Sequence, residues 1–238
     1  GTYNMALTPS NFQNKNDNFS NVEFVIVDGT LEITKKAITV TAGSDGVQAA
    51  TVLRTQNARI TVTAGGSSAN TLRSANGSWK GLKAGKAIEI NGGFYTVDSQ
   101  DDCLHSNVDL TITDGQFALE SGDDGIHADN ALLISGGDIV IHQSFEGIEA
   151  SKLTISGGNI DIVASDDGLN AAGGADGSAS ADRWGRGMFS NGVGEIVISG
   201  GFTHINAMGD GIDSNNTIRV SGGVTLVSGS PSGGNAAF

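Results

Sequence analysis

Across the C-terminal two thirds of the chain, apolar and polar positions alternate in short segments, and the segments recur. Leu110 and Ile112, Leu132 and Ile134, Leu153 and Ile155, Ile196 and Ile198, and Ile218 and Val220 each precede a glycine pair or near pair. A second alternating pair follows the turn: Tyr95 and Val97, Phe117 and Leu119, Ile139 and Ile141, Ile160 and Ile162, Thr203 and Ile205, Thr225 and Val227. Alternation with period two predicts half-buried strands. The glycines between them allow a sharp turn through positive φ. Their second members, Gly93, Gly115, Gly137, Gly158, Gly201 and Gly223, are 22, 22, 21, 43 and 22 residues apart.

A third element closes each repeat: an acid, usually glycine, an aliphatic residue, a polar residue, then Ala or Ser. It runs Asp102 to Ser106, Asp124 to Ala128, Glu146 to Ala150, Asp167 to Ala171 and Asp210 to Ser214. Three short strands in about 22 residues bury little by themselves, but stacked turn on turn they share one core. The pattern therefore predicts an all-β chain, a parallel β-helix rather than a sandwich, with Ile126, Ile148, Leu169 and Ile212 in one interior column. Residues 1–21 are expected to form a cap or tail, and 22–238 a single helical domain whose turns are less regular before residue 90. The double-length interval places an inserted loop at about 172–193, carrying Arg183, Trp184 and Arg186.

Stacking gives the acids their meaning. Turns about 4.8 Å apart bring residues one repeat apart above one another. One column reads Lys80, Asp102, Asp124, Glu146, Asp167, Asp210; the preceding position reads Asp101, Asp123, Phe145, Asp166, Gly209; the position three later reads Lys83, His105, His127, Glu149, Asn170, Asp213. An isolated aspartate at a turn ordinarily bonds its own backbone. Two carboxylates at this spacing, however, repel by roughly 1 kcal/mol in water and roughly 3.5 kcal/mol at an effective dielectric of 20, so a column of them calls for a cation. Lys152 is the only lysine after residue 86. Calcium, which takes six to eight oxygens, suits the column. Two sets are the best sites: Glu146, Glu149, Asp166, Asp167 and Asn170, and Asp101, Asp102, Asp123 and Asp124. Asp210 and Asp213 offer a third. His105 and His127 admit a transition metal, but exposed stacked histidines are the more ordinary reading.

Composition narrows the partners. Twenty-six acidic residues against thirteen basic ones give a net charge of −13, which argues against a nucleic-acid partner. An acidic polysaccharide would need a divalent ion between it and the protein. One cysteine excludes an intramolecular disulfide. No apolar run is long enough for a membrane-spanning helix, and residues 1–21 are polar.

Asp166-Asp167-Gly168-Leu169-Asn170, with Glu146 one turn earlier, resembles the calcium motif of family 9 pectate lyases, which are right-handed parallel β-helices. Gly209 to Asn215, followed by Val220-Ser221-Gly222-Gly223, is still more similar to bacterial extracellular β-helix proteins classed as carbohydrate-binding domains, in which a comparable loop precedes it. The resemblance covers residues 88–238 well and the earlier ones weakly. It implies a right-handed helix in a secreted or surface-attached calcium protein that binds plant cell-wall polysaccharide, pectin-type chains (polygalacturonate) and cellulose included.

Three readings follow. The first is a non-catalytic, calcium-dependent carbohydrate-binding protein, with Trp184, Arg183 and Arg186 as sugar contacts. The second is a calcium-dependent pectate lyase acting by β-elimination, for which Lys152 is the best-placed base although no lysine matches the lyase pattern. The third is a structural or adhesive surface β-helix.

Overall fold

The computed structural model describes residues 24–27, 30–33, 37–71, 77–171, 194–230 and 236–238. Among these residues all regular structure is β. Phe24–Val27 pairs with Thr30–Ile33 in a small antiparallel sheet, and the other fifteen strands form one sheet whose pairings are parallel. The expected cap at 1–21 and the expected loop at 172–193 lie outside the described residues.

Three stacks of parallel strands account for the large sheet. In the first, which follows the acids, Val47, Leu82, Leu104, Ile126, Ile148, Leu169 and Ile212 are successive partners. In the second, the partners are Leu53, Ile88, Leu110, Leu132, Leu153, Ile196 and Ile218. The third runs through Val40, Val62, Val97, Leu119, Ile141, Ile162, Ile205 and Val227. The interior column expected from sequence is present: Ile126, Ile148 and Leu169 are 0% exposed and Ile212 2%. Several strands, such as Asp109–Ser121, run through the glycine corner and belong to two stacks at once. The pairing of Asp109–Ser121 with Ile126–Ile134 consequently closes a six-strand ring in the pairing path.

The less regular early turns keep the register. Ile38, Ile60 and Tyr95 are partners, and Tyr95 stacks on Phe117 with ring centroids 4.7 Å apart. The irregularity is an insertion between Ala64 and Leu82, longer than its counterpart between Ser99 and Leu104. Near its start, Asn70 donates from Nδ2 to the Gly65 carbonyl at 2.6 Å.

Two kinds of glycine shape the corners. Between the second and third stacks Gly93, Gly115, Gly137, Gly158, Gly201 and Gly223 all have positive φ, which other residues rarely adopt. The glycine after each member of the acid column, Lys80 included, has a different reason. A Cβ on Gly147 would lie 2.3 Å from the Gly168 carbonyl oxygen and 2.4 Å from Ile162 Cγ2, and the same β-branched approach recurs at Gly46 on Val62, Gly81 on Val97, Gly125 on Ile141, Gly168 on Ile205 and Gly211 on Val227. The one departure is Cys103. Its turn carries Leu119 in the third stack, and leucine has no branch at Cβ.

Candidate cation and carbohydrate site

Main-chain hydrogen bonds hold the acid column in register: Gly81, Gly125, Gly147 and Gly168 donate from N–H to the carbonyls of Asp102, Glu146, Asp167 and Asp210, at 2.8 to 3.0 Å. The aspartate side chains add a second ladder. Asp45 accepts from the N–H of Lys80, Asp102 from that of Asp124 and Asp167 from that of Asp210, each through Oδ1, at 2.9, 3.1 and 2.7 Å. Turn aspartates bond the backbone here as the ordinary reading has it, but one turn away rather than locally. One carboxylate oxygen is used in this way and the other remains.

In the lower turns the remaining oxygens meet protein cations. Lys80 Nζ lies 2.8 Å from Asp102 Oδ2 and 3.2 Å from Asp101 Oδ2, all three groups being buried. Lys83 Nζ is 3.4 Å from Asp45 Oδ2. His105 Nδ1 is 2.7 Å from Asp102 Oδ2. His127 Nδ1 stands 3.0 Å from Asp124 Oδ2 and 2.9 Å from Glu149 Oε2, and its Nε2 3.0 Å from Asp129 Oδ1. The two rings stack at 4.9 Å. They are 5% and 0% exposed, so the expectation of exposed histidines is corrected: each is buried against carboxylates.

The ionisation of these groups follows. Burial opposes charge on Asp102, but Lys80 and His105 outweigh it and hold its carboxyl well below the usual range. Burial also opposes charge on His127, yet hydrogen bonds to Asp124, Asp129 and Glu149 raise it well above the ordinary imidazole value. Asp124 is raised well above its ordinary value by burial, assisted by the charges of Asp102, Glu146 and Glu149. The set Asp101, Asp102, Asp123 and Asp124, expected to hold calcium, is thus already served by Lys80 and His127 at three of its members. Sequence reading missed this because Lys80 stands in the acid column itself, and its reach to the next turn shows only once the turns are stacked.

The upper turns differ. No lysine, arginine or histidine is paired with Glu146, Asp167, Asp210 or Asp213 among the described residues. Asn170, 5% exposed, donates from Nδ2 to Glu146 Oε2 at 2.7 Å while its buried Oδ1 has no partner. Register places Glu149, Asn170 and Asp213 side by side. Burial, then the charge on Glu149, pushes Glu146 well above the ordinary glutamate value. Burial and the charges of Asp166, Asp210 and Asp213 push Asp167 up to about 7, and burial and Asp210 raise Asp213. These are carboxylates short of positive charge.

Triads of ligating atoms drawn within 4.8 Å of one another occur at Asp102, His105 and His127, at Asp124, His127 and Glu149, and at Asp101, Asp102 and Asp123. Each has a protein cation among or beside its members. Like charges without a counterion keep apart, so tight grouping marks where a cation is already built in.

Lys152 is exposed on the second stack, with Ala131 and Glu195 as its register partners. Trp184, Arg183 and Arg186 lie outside the described residues. Among the described residues no helix is long and apolar enough to cross a membrane.

A family model for carbohydrate-binding domain-containing proteins matches the chain twice, over residues 10–125 and 123–235. No curated protein and no solved structure matches it. With nearly its whole length covered by those two matches, the chain belongs to the carbohydrate-binding domain-containing protein family.

Proposed function

We propose that this chain is a right-handed parallel β-helix of about 22 residues per turn that binds acidic polysaccharide of the polygalacturonate type outside the cell through calcium, without cleaving it. Calcium belongs at the upper acid corner, with Glu146, Glu149, Asp166, Asp167, Asn170, Asp210 and Asp213 as the oxygen donors. The observation that carries this reading is the buried Asn170 Oδ1, an acceptor without a donor, beside Glu146, Asp167, Asp210 and Asp213, which pair with no lysine, arginine or histidine among the described residues. A buried polar atom left unsatisfied is costly, and a hard cation with oxygen ligands removes that cost together with the repulsion. The lower turns supply the internal comparison, since there Asp102 Oδ2 is met by Lys80 and Asp124 Oδ2 by His127.

A net charge of −13 repels a uronate chain, and a shared divalent ion reverses the sign of that interaction. Lys152 sits on another stack from the acids, beside Glu195 in register, which supports binding over β-elimination. The test is a calcium titration of the full chain by calorimetry. Asp167→Ala should weaken calcium roughly ten- to a hundred-fold, while Asp101→Asn, beside Lys80, should leave it unchanged. Equal losses in the two variants would place the ion at the lower turns instead.

A further inference from the structure

Away from the acids, a second polar site lies on the outer side of the second stack. Arg54, Gln56, Glu89, Asn91, Thr111 and Thr113 are among the residues that line an open surface groove of about 460 Å³, within the size range of small-ligand sites. The first and third stacks separate it from the acid corner along the chain path. Three consecutive turns build it. Register puts Arg54, Glu89 and Thr111 in one column, and Gln56 beside Asn91 in the column two residues on. Turns about 4.8 Å apart and positions about 6.7 Å apart along a strand make this a lattice of donors and acceptors.

The chemistry of the lattice is specific. Arg54 Nε and Nη2 meet Glu89 Oε2 and Oε1 at 2.5 and 3.0 Å, a forked pair. Thr113 Oγ1 donates to the Ile90 carbonyl and lies 3.2 Å from Asn91 Oδ1, fixing that amide from one side. Below, Asn57 holds φ at 49° and Gly92 at 74°, so the corner next to the groove is set by backbone geometry rather than by loose side chains. The Arg54 and Glu89 side chains are 70% and 45% exposed. A pair this exposed adds little to stability, and beyond the fork the guanidinium keeps further N–H donors and the carboxylate further lone pairs for a ligand.

We infer that this groove is a second carbohydrate subsite, one that takes a neutral oligosaccharide without calcium. The forked pair cancels its own charge, and the remaining polar lining groups, amides and threonine hydroxyls, are neutral. Guanidinium, carboxylate and amide groups each present donors or acceptors in a plane, the arrangement that grips adjacent hydroxyls of a pyranose ring. A uronate would bring an unmatched negative charge into a chain of net charge −13, so the acidic chain goes to the calcium corner and a neutral one to this groove. The inference rests on the carbohydrate-binding reading but not on its calcium step.

The experiment is a titration of the ¹⁵N-labelled full chain in chelator with cellohexaose, xylohexaose and mannohexaose in separate arms. A neutral hexasaccharide should shift the side-chain amide signals of Gln56 and Asn91. Its affinity should fall about tenfold or more in Asn91→Ala and in Arg54→Ala, with calcium-dependent polygalacturonate binding unchanged in both variants. If none of the three sugars shifts those signals at millimolar concentration, or if binding survives both substitutions, the groove is not a subsite. Failure of the unsubstituted chain to bind polygalacturonate in calcium, with the neutral-sugar shifts intact, would instead count against the calcium reading and leave this one standing.

Discussion

The same residue type does two jobs in this column, and the difference lies in what faces its second oxygen. Asp102 gives Oδ1 to the N–H of Asp124 and Oδ2 to Lys80; Asp167 gives Oδ1 to the N–H of Asp210 and meets no lysine among the described residues. Lys80 is therefore structural. Lys80→Met removes the positive partner of two buried carboxylates and should destabilise the fold by about 3–5 kcal/mol in chemical denaturation; a loss below about 1 kcal/mol would mean that water or another group replaces the ammonium. Asp167 makes the opposite prediction for pH. Its folded value of about 7 is above its unfolded value near 3.8, so the calcium-free fold holds that proton longer than the unfolded chain does. That contribution to stability is complete below pH 3.8 and is lost as pH rises through about 7. The melting temperature of calcium-free protein should fall across that window more steeply than that of Asp167→Asn. Saturating calcium should flatten the difference, since metal and proton compete for one carboxylate. Identical slopes in the two proteins would contradict the assignment.

Among the elements, the sequence was most legible where a residue has one physical reason. Alternating Ile and Leu columns became interior columns, and the second glycine of each pair took positive φ, because period two and a missing Cβ have few other uses. The glycine after each acid was visible as a pattern but not as a cause. Its cause is the β-branched residue of the third stack, and the Cys103 and Leu119 pair shows the covariation. Gly147→Ala should cost about 1–3 kcal/mol through overpacking, and adding Ile162→Leu should recover part of that loss in a double-mutant cycle. Strictly additive effects would show that the Gly168 carbonyl alone sets the limit. The pairing of Lys80 and the burial of the histidines are not legible for a related reason. A linear repeat shows which residues share a column, but not that a lysine at the start of a column reaches the acids of the next turn, nor how deeply a histidine is buried.

At the scale of the molecule, the column of acids divides, among the described residues, into a half that carries its own cations and a half in which Glu146, Asp167, Asp210 and Asp213 meet none. The early turns hold Lys80, Lys83, His105 and His127, and the later ones hold Glu146, Asp167, Asp210 and Asp213. Composition alone gave the charge excess, and stacking shows where it goes uncompensated. The central claim is that a divalent ion both completes this corner and joins it to an acidic glycan. It is tested most directly by calorimetric titration of the full chain with polygalacturonate, first in millimolar calcium and then in excess chelator. The account predicts saturable binding in calcium and none in chelator, with the calcium-bound affinity falling as salt rises. Undiminished binding in chelator would contradict it.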